Sequence, residues 1–354
     1  VQTVLPMRSR YKLYCNLHNF GRHVVAPFLF GDALAMGQCF STTAQNCLFS
    51  SVLLGYACSM GGCPHCITKL QNRFAFPAPQ STYAITNGNE LNFLEPMLAA
   101  ELTATAQLPV DTSVRYLPSR SGSELAVFHF EPKAPPAAGK RRLTLLWSHG
   151  NAMDCGELHG FLSQLSLELD VGIVAYDYSG YGASTGLPSE RNLLLDSQSV
   201  YDWIRSSLNV DVAHELVVYG QSVGSGPSVH LATKQAVRAL VLHSPIASGI
   251  RVLAPNWTNC CSPVNTFACF DIFPNVKLAP KIPCPMLLIH GDNDEVVHWR
   301  NCDAIHKKAR RSLVYTGEPH YVPGAGHNDV AETDPQGYLR VLKGFLGSLN
   351  ESDV

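Results

Sequence analysis

The 354-residue chain is predicted to fold as an α/β domain with a mainly parallel central sheet and helices on both faces. Two observations predict this class. Short apolar runs alternate with helical segments after residue 140, and one of these runs leads through a glycine-rich turn into a new helix. This alternation is typical of parallel sheets that helices cover on both sides. The predicted strands are 143–147, 171–176, 215–219, 237–243 and 285–290, and a helix is predicted over 189–208.

The segments before and after this region have simpler signals. Runs at 113–117 and 124–130 alternate apolar and polar residues and predict a β-hairpin, whereas the proline-containing stretch 67–100 predicts a linker. Thr333, followed three residues later by Gln336, is a capping-box pattern that predicts the start of the final helix. Four apolar residues of that helix are expected on one face: Tyr338, Leu342, Phe345 and Leu349.

Composition limits the classes of function. The chain is 46% hydrophobic and 15% charged, which is ample material for one sizeable core. Its formal net charge of -2 favours neither nucleic acid nor a strongly acidic substrate as a partner. No apolar run reaches the roughly 20 residues that a membrane-spanning helix needs. We therefore expect a globular domain with one sizeable core and no nucleic-acid partner.

The glycine-rich turn has the form Gly-x-Ser-x-Gly and places Ser222 between Gly220 and Gly224. A buried strand precedes it and a helix start at Pro227 follows it, which is the context of a nucleophile elbow. In an elbow both glycines must lack side chains, and the serine hydroxyl is exposed at the turn. The pattern is short, and its alternative interpretation is an ordinary strand-to-helix turn. The interpretation as a nucleophile therefore depends on finding a base, an acid and oxyanion donors.

An acid and a histidine follow in the order that this fold uses. The predicted strand 285–290 runs into a loop with three acids, of which Asp294 is chosen from its spacing to the strand; Asp292 and Glu295 are the alternatives. His327 lies on a glycine-flanked loop just before the last helix. In the predicted mechanism His327 takes the proton of Ser222, and Asp294 orients and stabilises the imidazole.

The oxyanion donors are expected at two turns. The strand ending at Trp147 leads into Ser-His-Gly-Asn-Ala, from which the N–H of Asn151, or alternatively that of Ala152, supplies the first donor. The second donor is the N–H of Val223, the residue after the nucleophile. This chemistry requires neither a metal nor an organic cofactor. Cys63-Pro-His-Cys66 is a lone C-x-x-C without a second pair, so no zinc site is expected.

The N-terminal region suggests lipid attachment. Residues 1–35 form an extension of undetermined character, and Met36-Gly37-Gln-Cys39-Phe-Ser fits the myristoylation pattern. Translation from Met36 would expose Gly37 for myristoylation, with Cys39 beside it for palmitoylation. The acid-free segment that follows contains further cysteines, and several acyl chains give the stable anchoring that one chain does not. A secretory signal around residues 47–60 is the alternative. The expected attachment residues are Gly37, Cys39, Cys47, Cys58, Cys63 and Cys66.

Several motifs recur in order along the chain: SHGNA at 148–152, DYSGYGASTG at 177–186, YGQSVG at 219–224, LHSP at 242–245, CFDIFPN at 269–275, IHG at 289–291 and GAGHND at 324–329. With them the chain resembles the alpha/beta-hydrolase-domain-containing protein 17 family over roughly 100–350. The resemblance implies an alpha/beta-hydrolase fold with a small lid at about 247–280. It also implies a membrane-bound protein depalmitoylase that is anchored through N-terminal cysteines and uses Ser222, Asp294 and His327 as its triad.

The domain organisation and function expected are therefore as follows. Residues 36–99 are a Cys-rich anchoring segment and linker, and 100–350 are the hydrolase domain. The enzyme is expected to cleave acyl thioesters of S-palmitoylated proteins at the cytoplasmic face of the plasma membrane or endosomes. A lipid esterase or serine peptidase of the same fold is the first alternative. A binding protein that kept the fold without activity is the second.

Overall fold

The structure is a computed structural model. It describes residue 72 and residues 75–87, 89–105, 107–136, 141–253, 271–310 and 317–351. The predicted extension and acylation sites precede residue 72 and lie outside these ranges. Half of the predicted lid, residues 254–270, also lies outside them.

Eight strands form one central sheet. Its strands are β3 (Val110–Pro118), β4 (Glu124–Pro132), β5 (Thr144–Ser148), β6 (Gly172–Tyr176), β7 (Leu216–Gln221), β8 (Ala239–His243), β9 (Met286–Gly291) and β10 (His320–Val322). The order across the sheet is β10-β9-β8-β7-β5-β6-β4-β3. All neighbours from β10 to β6 pair in parallel, whereas β3 and β4 pair as an antiparallel hairpin and β4 pairs antiparallel with β6. The predicted mainly parallel sheet and its leading hairpin are confirmed.

The strands from β5 to β8 are buried along their whole length, because helices cover both faces of the sheet. The described helices are α1 (Pro96–Thr105), α2 (Cys155–Leu169), α3 (Glu190–Ser207), α4 (Ser225–Ala232), α5 (Gly249–Leu253), α6 (Asn275–Leu278), α7 (Arg300–Ala309), α8 (Val330–Thr333) and α9 (Pro335–Glu351). No helix in the part of the chain that is described is both long and apolar enough to cross a bilayer.

Side chains alternate in direction along each strand and so divide the core into two clusters. Leu146 of β5 joins the cluster covered by α3, α4 and α7, while its neighbours Leu145 and Trp147 join the cluster covered by α2 and α9. Side chains of successive strand residues point to opposite faces, so each strand contributes to both clusters. Helices on both faces are therefore confirmed.

The stretch predicted as a linker over 67–100 is different in the structure. From residue 83 it forms the hairpin β1 (Tyr83–Thr86) and β2 (Glu90–Phe93), and α1 follows. Tyr83 is buried against Phe128, and the Thr82 hydroxyl donates to Asp154 at 2.6 Å. The prolines suggested an irregular connection, but the apolar residues between them pack on the sheet. The packed unit therefore begins before the predicted boundary at residue 100.

Side chains that accept backbone N–H groups mark the starts of helices α3 and α9. Ser189 accepts the N–H of Asn192 at 3.1 Å and begins α3 as predicted. The final helix departs from the prediction, because Asp334 and not Thr333 accepts the N–H of Gly337, at 2.9 Å. Thr333 instead ends the short helix α8. Three of the four predicted face residues of α9 are buried and Phe345 packs partly buried against the same cluster.

Candidate active site

The Gly-x-Ser-x-Gly turn lies at the carboxyl end of β7, near the middle of the sheet. Ser222 has φ of 52°, a left-handed conformation that a non-glycine residue adopts only under constraint. A Cβ on Gly224 would lie 2.1 Å from the carbonyl oxygen of Ser148, and one on Gly220 would lie 2.7 Å from that of Gly224. Neither position therefore has space for a side chain. This is the elbow geometry that the sequence predicted.

A network that the sequence did not indicate holds the elbow. The Ser225 hydroxyl donates to the carbonyl oxygen of Ser222 at 2.6 Å. The same hydroxyl accepts from the backbone N–H of Ile246 and from the side-chain amide of Asn275, both at 3.2 Å. The left-handed turn is thus tied to Ile246, just before the predicted lid, and to Asn275 of α6, within the predicted lid.

The three predicted triad residues meet at the carboxyl edge of the sheet. His327 Nε2 lies 2.9 Å from Ser222 Oγ, and His327 Nδ1 lies 2.7 Å from Asp294 Oδ2. All three side chains are at least nine-tenths buried. The carboxyl ends of β7, β9 and β10 bring them together across 105 and 33 residues of sequence. The contacts form one continuous hydrogen-bonded chain from hydroxyl to carboxylate.

Asp294 is fixed by its own loop. Its Oδ1 accepts the backbone N–H groups of Val296 and Val297 at 2.9 and 2.7 Å. Burial acts to raise the pKa of this carboxyl, but contacts from His290 and His327 outweigh it and hold the pKa below its ordinary value. Asp294 is therefore ionised at neutral pH. The alternatives Asp292 and Glu295 are both exposed, and Asp292 accepts the N–H of Gly324 instead.

Beside the elbow lie the last residue of β5 and the loop that follows it (residues 148–152), which we call the oxyanion loop because the sequence predicts an oxyanion donor there. The close approach of Gly224 to Ser148 brings Val223 and this loop together. The Asn151 side chain is held at both ends: its Nδ2 donates to the carbonyl of Ala75 at 2.8 Å, and its Oδ1 accepts from the Tyr181 hydroxyl at 2.6 Å. The sequence predicted Asn151 and Val223 but gave no signal for these two supports.

A buried group lies beneath the oxyanion loop. His149 Nδ1 is 2.8 Å from the carbonyl of Gly150, its Nε2 faces Asp177 Oδ1 at 3.2 Å, and the Tyr83 hydroxyl bonds the other oxygen of Asp177. His149, Cys155 and Asp177 offer ligand atoms within 4.8 Å of one another, the kind of group that holds a metal. Burial, reinforced by Asp177, raises the pKa of the Cys155 thiol, so its sulfur stays protonated and is a poor ligand. Asp177 also accepts the Cys155 N–H, and we assign the group to support of the loop.

Comparisons with known proteins agree with this architecture. A family model described as Serine aminopeptidase, S33 matches residues 139–271. Alpha/beta hydrolase domain-containing protein aho-3 of Caenorhabditis elegans is 36% identical over 84% of this chain and 83% of its own length. Human Alpha/beta hydrolase domain-containing protein 17B is 34% identical over 82% of this chain and 94% of its own length. The chain belongs to the alpha/beta hydrolase domain-containing protein 17 family. The predicted resemblance is confirmed.

Solved structures show the same fold for this family member. Esterase Pf2001 of Pyrococcus furiosus aligns with a TM-score of 0.53 and 14% identity, over 70% of this chain and 95% of the esterase. A puromycin-hydrolyzing peptidase of Mycobacterium tuberculosis aligns with a TM-score of 0.50 and 17% identity, over 67% of this chain and 39% of the peptidase. At these identities the likeness supports the alpha/beta-hydrolase fold alone. The chain is thus a member of a hydrolase family with this fold.

Proposed function

We propose that this protein is a serine hydrolase that cleaves acyl thioesters and removes palmitate from S-palmitoylated membrane proteins. The observation that carries the proposal is the hydrogen-bonded chain Ser222–His327–Asp294 at a left-handed elbow, in a member of the protein 17 family. The resemblance noted in the sequence implies the thioester substrate. The geometry supports the reaction type.

In the proposed acylation step, Ser222 Oγ attacks the thioester carbonyl carbon while His327 Nε2 takes the hydroxyl proton. Asp294 keeps Nδ1 as the hydrogen-bond donor and stabilises the imidazolium that forms. The N–H groups of Asn151 and Val223 stabilise the oxyanion, each contributing about 3 kcal/mol to the transition state. The carbon–sulfur bond then breaks, and the cysteine sulfur leaves with the proton that His327 returns.

In the proposed deacylation step, a water molecule replaces the leaving thiol. His327 takes one proton from this water, whose oxygen attacks the acyl carbon of the Ser222 ester. The second tetrahedral intermediate collapses when His327 returns the proton to Ser222 Oγ. The products are the free fatty acid and the regenerated hydroxyl.

We further propose that acylation near the N-terminus holds the enzyme at the cytoplasmic face of a membrane. The support is the sequence pattern at Gly37 and the cysteines from Cys39 to Cys66. More than one acyl chain is needed for stable attachment, which these cysteines can provide. Replacing the five cysteines between 39 and 66 by serine is expected to release the protein into the soluble fraction of lysed cells. A variant that stays with the membranes would contradict the anchor.

A peptidase or esterase is the second candidate, because the family model that matches residues 139–271 carries the description of a serine aminopeptidase. An amide and a thioester differ at the leaving group, which is an amine in one and a thiol in the other. The same elbow can serve both reactions. The substrate class therefore has to be decided by direct comparison of leaving groups.

The deciding experiment measures hydrolysis of a palmitoyl-thioester peptide beside a matched oxyester and an aminoacyl amide. Ser222→Ala is expected to abolish thioester turnover, a loss of about 10⁵-fold or more. Ser228→Ala, at another buried serine only six residues away, is the matched control and should keep near wild-type activity. Turnover of the amide or oxyester alone would transfer the function to the second candidate. Equal rates for Ser222→Ala and wild type would remove Ser222 as the nucleophile.

A further inference from the structure

A second histidine lies on the acid of the candidate triad. His290 is the penultimate residue of β9 and is fully buried, four residues before Asp294. Its Nε2 is 2.7 Å from the carbonyl oxygen of Val297 and 3.1 Å from Asp294 Oδ2. A carbonyl oxygen only accepts hydrogen bonds, so Nε2 of His290 carries the proton. That proton is directed at Val297, with the carboxylate at its flank.

These contacts close the loop that follows β9. The Asp294 carboxylate accepts the N–H of Val297, and the carbonyl of the same residue accepts from His290. Asp294 Oδ2 is also the oxygen that His327 contacts at 2.7 Å. One carboxylate is therefore held by two backbone N–H groups on Oδ1 and by two imidazoles on Oδ2. Rotation of the carboxylate away from His327 would break several of these contacts at once.

We propose that His290 is a positioning residue, whose Nε2–H fixes the Asp294 loop and aims Oδ2 at His327. The inference rests on the proposed function, because it assumes that Asp294 orients the base of a serine hydrolase. His290 is too deep to touch a substrate, since its side chain is fully buried behind Asp294. It acts on the reaction only through the carboxylate.

Other charged and titratable groups face this site. His243, at the end of β8, has a pKa lowered to about 3, first by burial and then by His327 and His290. His298 precedes α7 and has a pKa lowered by burial and by Arg300. The carboxylates of Glu295 and Asp329 lie beside Gly326 on the loop of His327. His243 therefore stays neutral above pH 5 and does not contribute to a pH profile measured there.

The sign of the expected pH effect follows from the polar N–H group beside the carboxylate. Without His290, Asp294 Oδ2 loses the positive end of the N–H dipole that lies 3.1 Å away and becomes a stronger acceptor for His327 Nδ1. A stronger acceptor favours the protonated imidazole, which cannot take the proton of Ser222. Loss of His290 therefore moves the acidic limb of the rate profile to higher pH and lowers the plateau.

The test uses the full chain and an alkyl fluorophosphonate, which forms a bond from Ser222 Oγ to phosphorus and releases fluoride as the hydroxyl proton passes to His327. Labelling rate constants are measured from pH 5 to 9 for three variants. His290→Phe removes the donor and keeps a planar ring, and is expected to lower the plateau about tenfold. His290→Gln retains an N–H donor and should restore most of the rate and the wild-type midpoint. His159→Phe makes the same change at a buried histidine on α2 and should label like wild type.

The outcomes separate the two proposals. A raised midpoint in His290→Phe that His290→Gln restores supports the positioning role. Equal losses in both variants with an unmoved midpoint, or wild-type behaviour of His290→Phe, would overturn it while leaving the proposed function intact. Wild-type protein that does not label would contradict the proposed function and the inference with it. Thermal unfolding of each variant checks that a lost rate does not report lost folding.

Discussion

The side chains of His327 and Asn151, on either side of the elbow, are held by different chemistry. On the acid–base side, the buried titratable groups His327 and His290 both contact the buried carboxylate of Asp294. On the oxyanion side, the contacts to the Asn151 side chain come from neutral groups, the carbonyl of Ala75 and the hydroxyl of Tyr181. Changes on the acid–base side should alter how the rate depends on pH. Changes to the elbow glycine or to the neutral supports of Asn151 should lower the rate at every pH alike.

Among substitutions that test this comparison, Asp294→Asn is expected to lower kcat the most, apart from loss of the nucleophile itself. An amide cannot hold the imidazolium that forms at His327 and favours the wrong tautomer, so kcat should fall about 10⁴-fold. The measurement is thioester or ester turnover across pH. Asp292→Asn, at an exposed acid of the same loop, is the control and should lose less than about tenfold. Equal losses in the two variants would show that the acid was assigned wrongly.

Gly224→Ala tests the contact between the elbow and the oxyanion loop. The new methyl group would lie 2.1 Å from the carbonyl oxygen of Ser148, so the backbone has to move and the Val223 N–H moves with it. We expect kcat to fall about 10²-fold to 10³-fold, the cost of one lost oxyanion donor. The acidic limb of the pH profile should stay in place. A shifted limb would mean that the two sides of the site are not separate.

The control for that substitution is Gly344→Ala on α9, where a Cβ meets nothing within 4 Å. In this helix interior alanine is favoured over glycine by about 0.5–1 kcal/mol, so the free energy of unfolding should rise and kcat should not change. Denaturant unfolding and turnover measured on both glycine variants separate a local clash from a general effect of adding a methyl group.

Tyr181→Phe is a gentler change on the oxyanion side. It removes the hydroxyl that donates to Asn151 Oδ1 at 2.6 Å and keeps the buried ring. Loss of one neutral hydrogen bond is worth about 1 kcal/mol, so kcat should fall about fivefold with an unchanged pH midpoint. Tyr201→Phe is the matched control, because its hydroxyl donates to the carbonyl of Ala236 at 3.0 Å and touches no residue of the site. Similar kcat for the two variants would remove Asn151 orientation as a factor.

Parts of this site could be predicted from the sequence because their signals are local. The elbow, the acid after β9 and the histidine before the last helices each follow a recognisable strand or turn, and parallel strands place their carboxyl ends on one edge. Contacts between distant segments carry no such signal. Ala75 is 76 residues from Asn151, and Tyr83 is 94 residues from Asp177, so the segment before residue 100 was predicted as a linker.

The start of the final helix shows that sequence patterns can also mislead at short range. Thr333 and Gln336 have capping-box spacing, but Asp334 is also a strong cap and is followed directly by Pro335, which is well suited to a first helical position. The sequence pattern alone does not decide whether Thr333 or Asp334 caps the final helix. The His290 contact was also missed, because a histidine at a strand end gives no sign of which group it will face.

The smallest effect on activity is expected from His159→Phe, where a buried histidine has no acid beside it. His159 packs against the rings of Phe93, Phe128 and Phe130, and burial lowers its pKa to about 4. Between pH 6.5 and 4 the unfolded chain therefore binds a proton that the folded chain does not, and stability falls as pH falls. Once the pH is below both pKa values, the free energy of unfolding has fallen by about 3 kcal/mol.

Phenylalanine at position 159 cannot bind that proton, so the free energy of unfolding of His159→Phe should decline less than that of wild type from pH 7 to pH 4. Asp154, whose pKa burial raises to about 6, acts in the opposite direction in both proteins and cancels in their difference. Denaturant unfolding at pH 7, 5.5 and 4 gives this difference, with exposed His214→Phe as control. Parallel curves of unfolding free energy against pH for wild type and His159→Phe would contradict the lowered pKa of His159. A flattened curve with unchanged kcat would show that burying a histidine away from Asp294 affects stability and not catalysis.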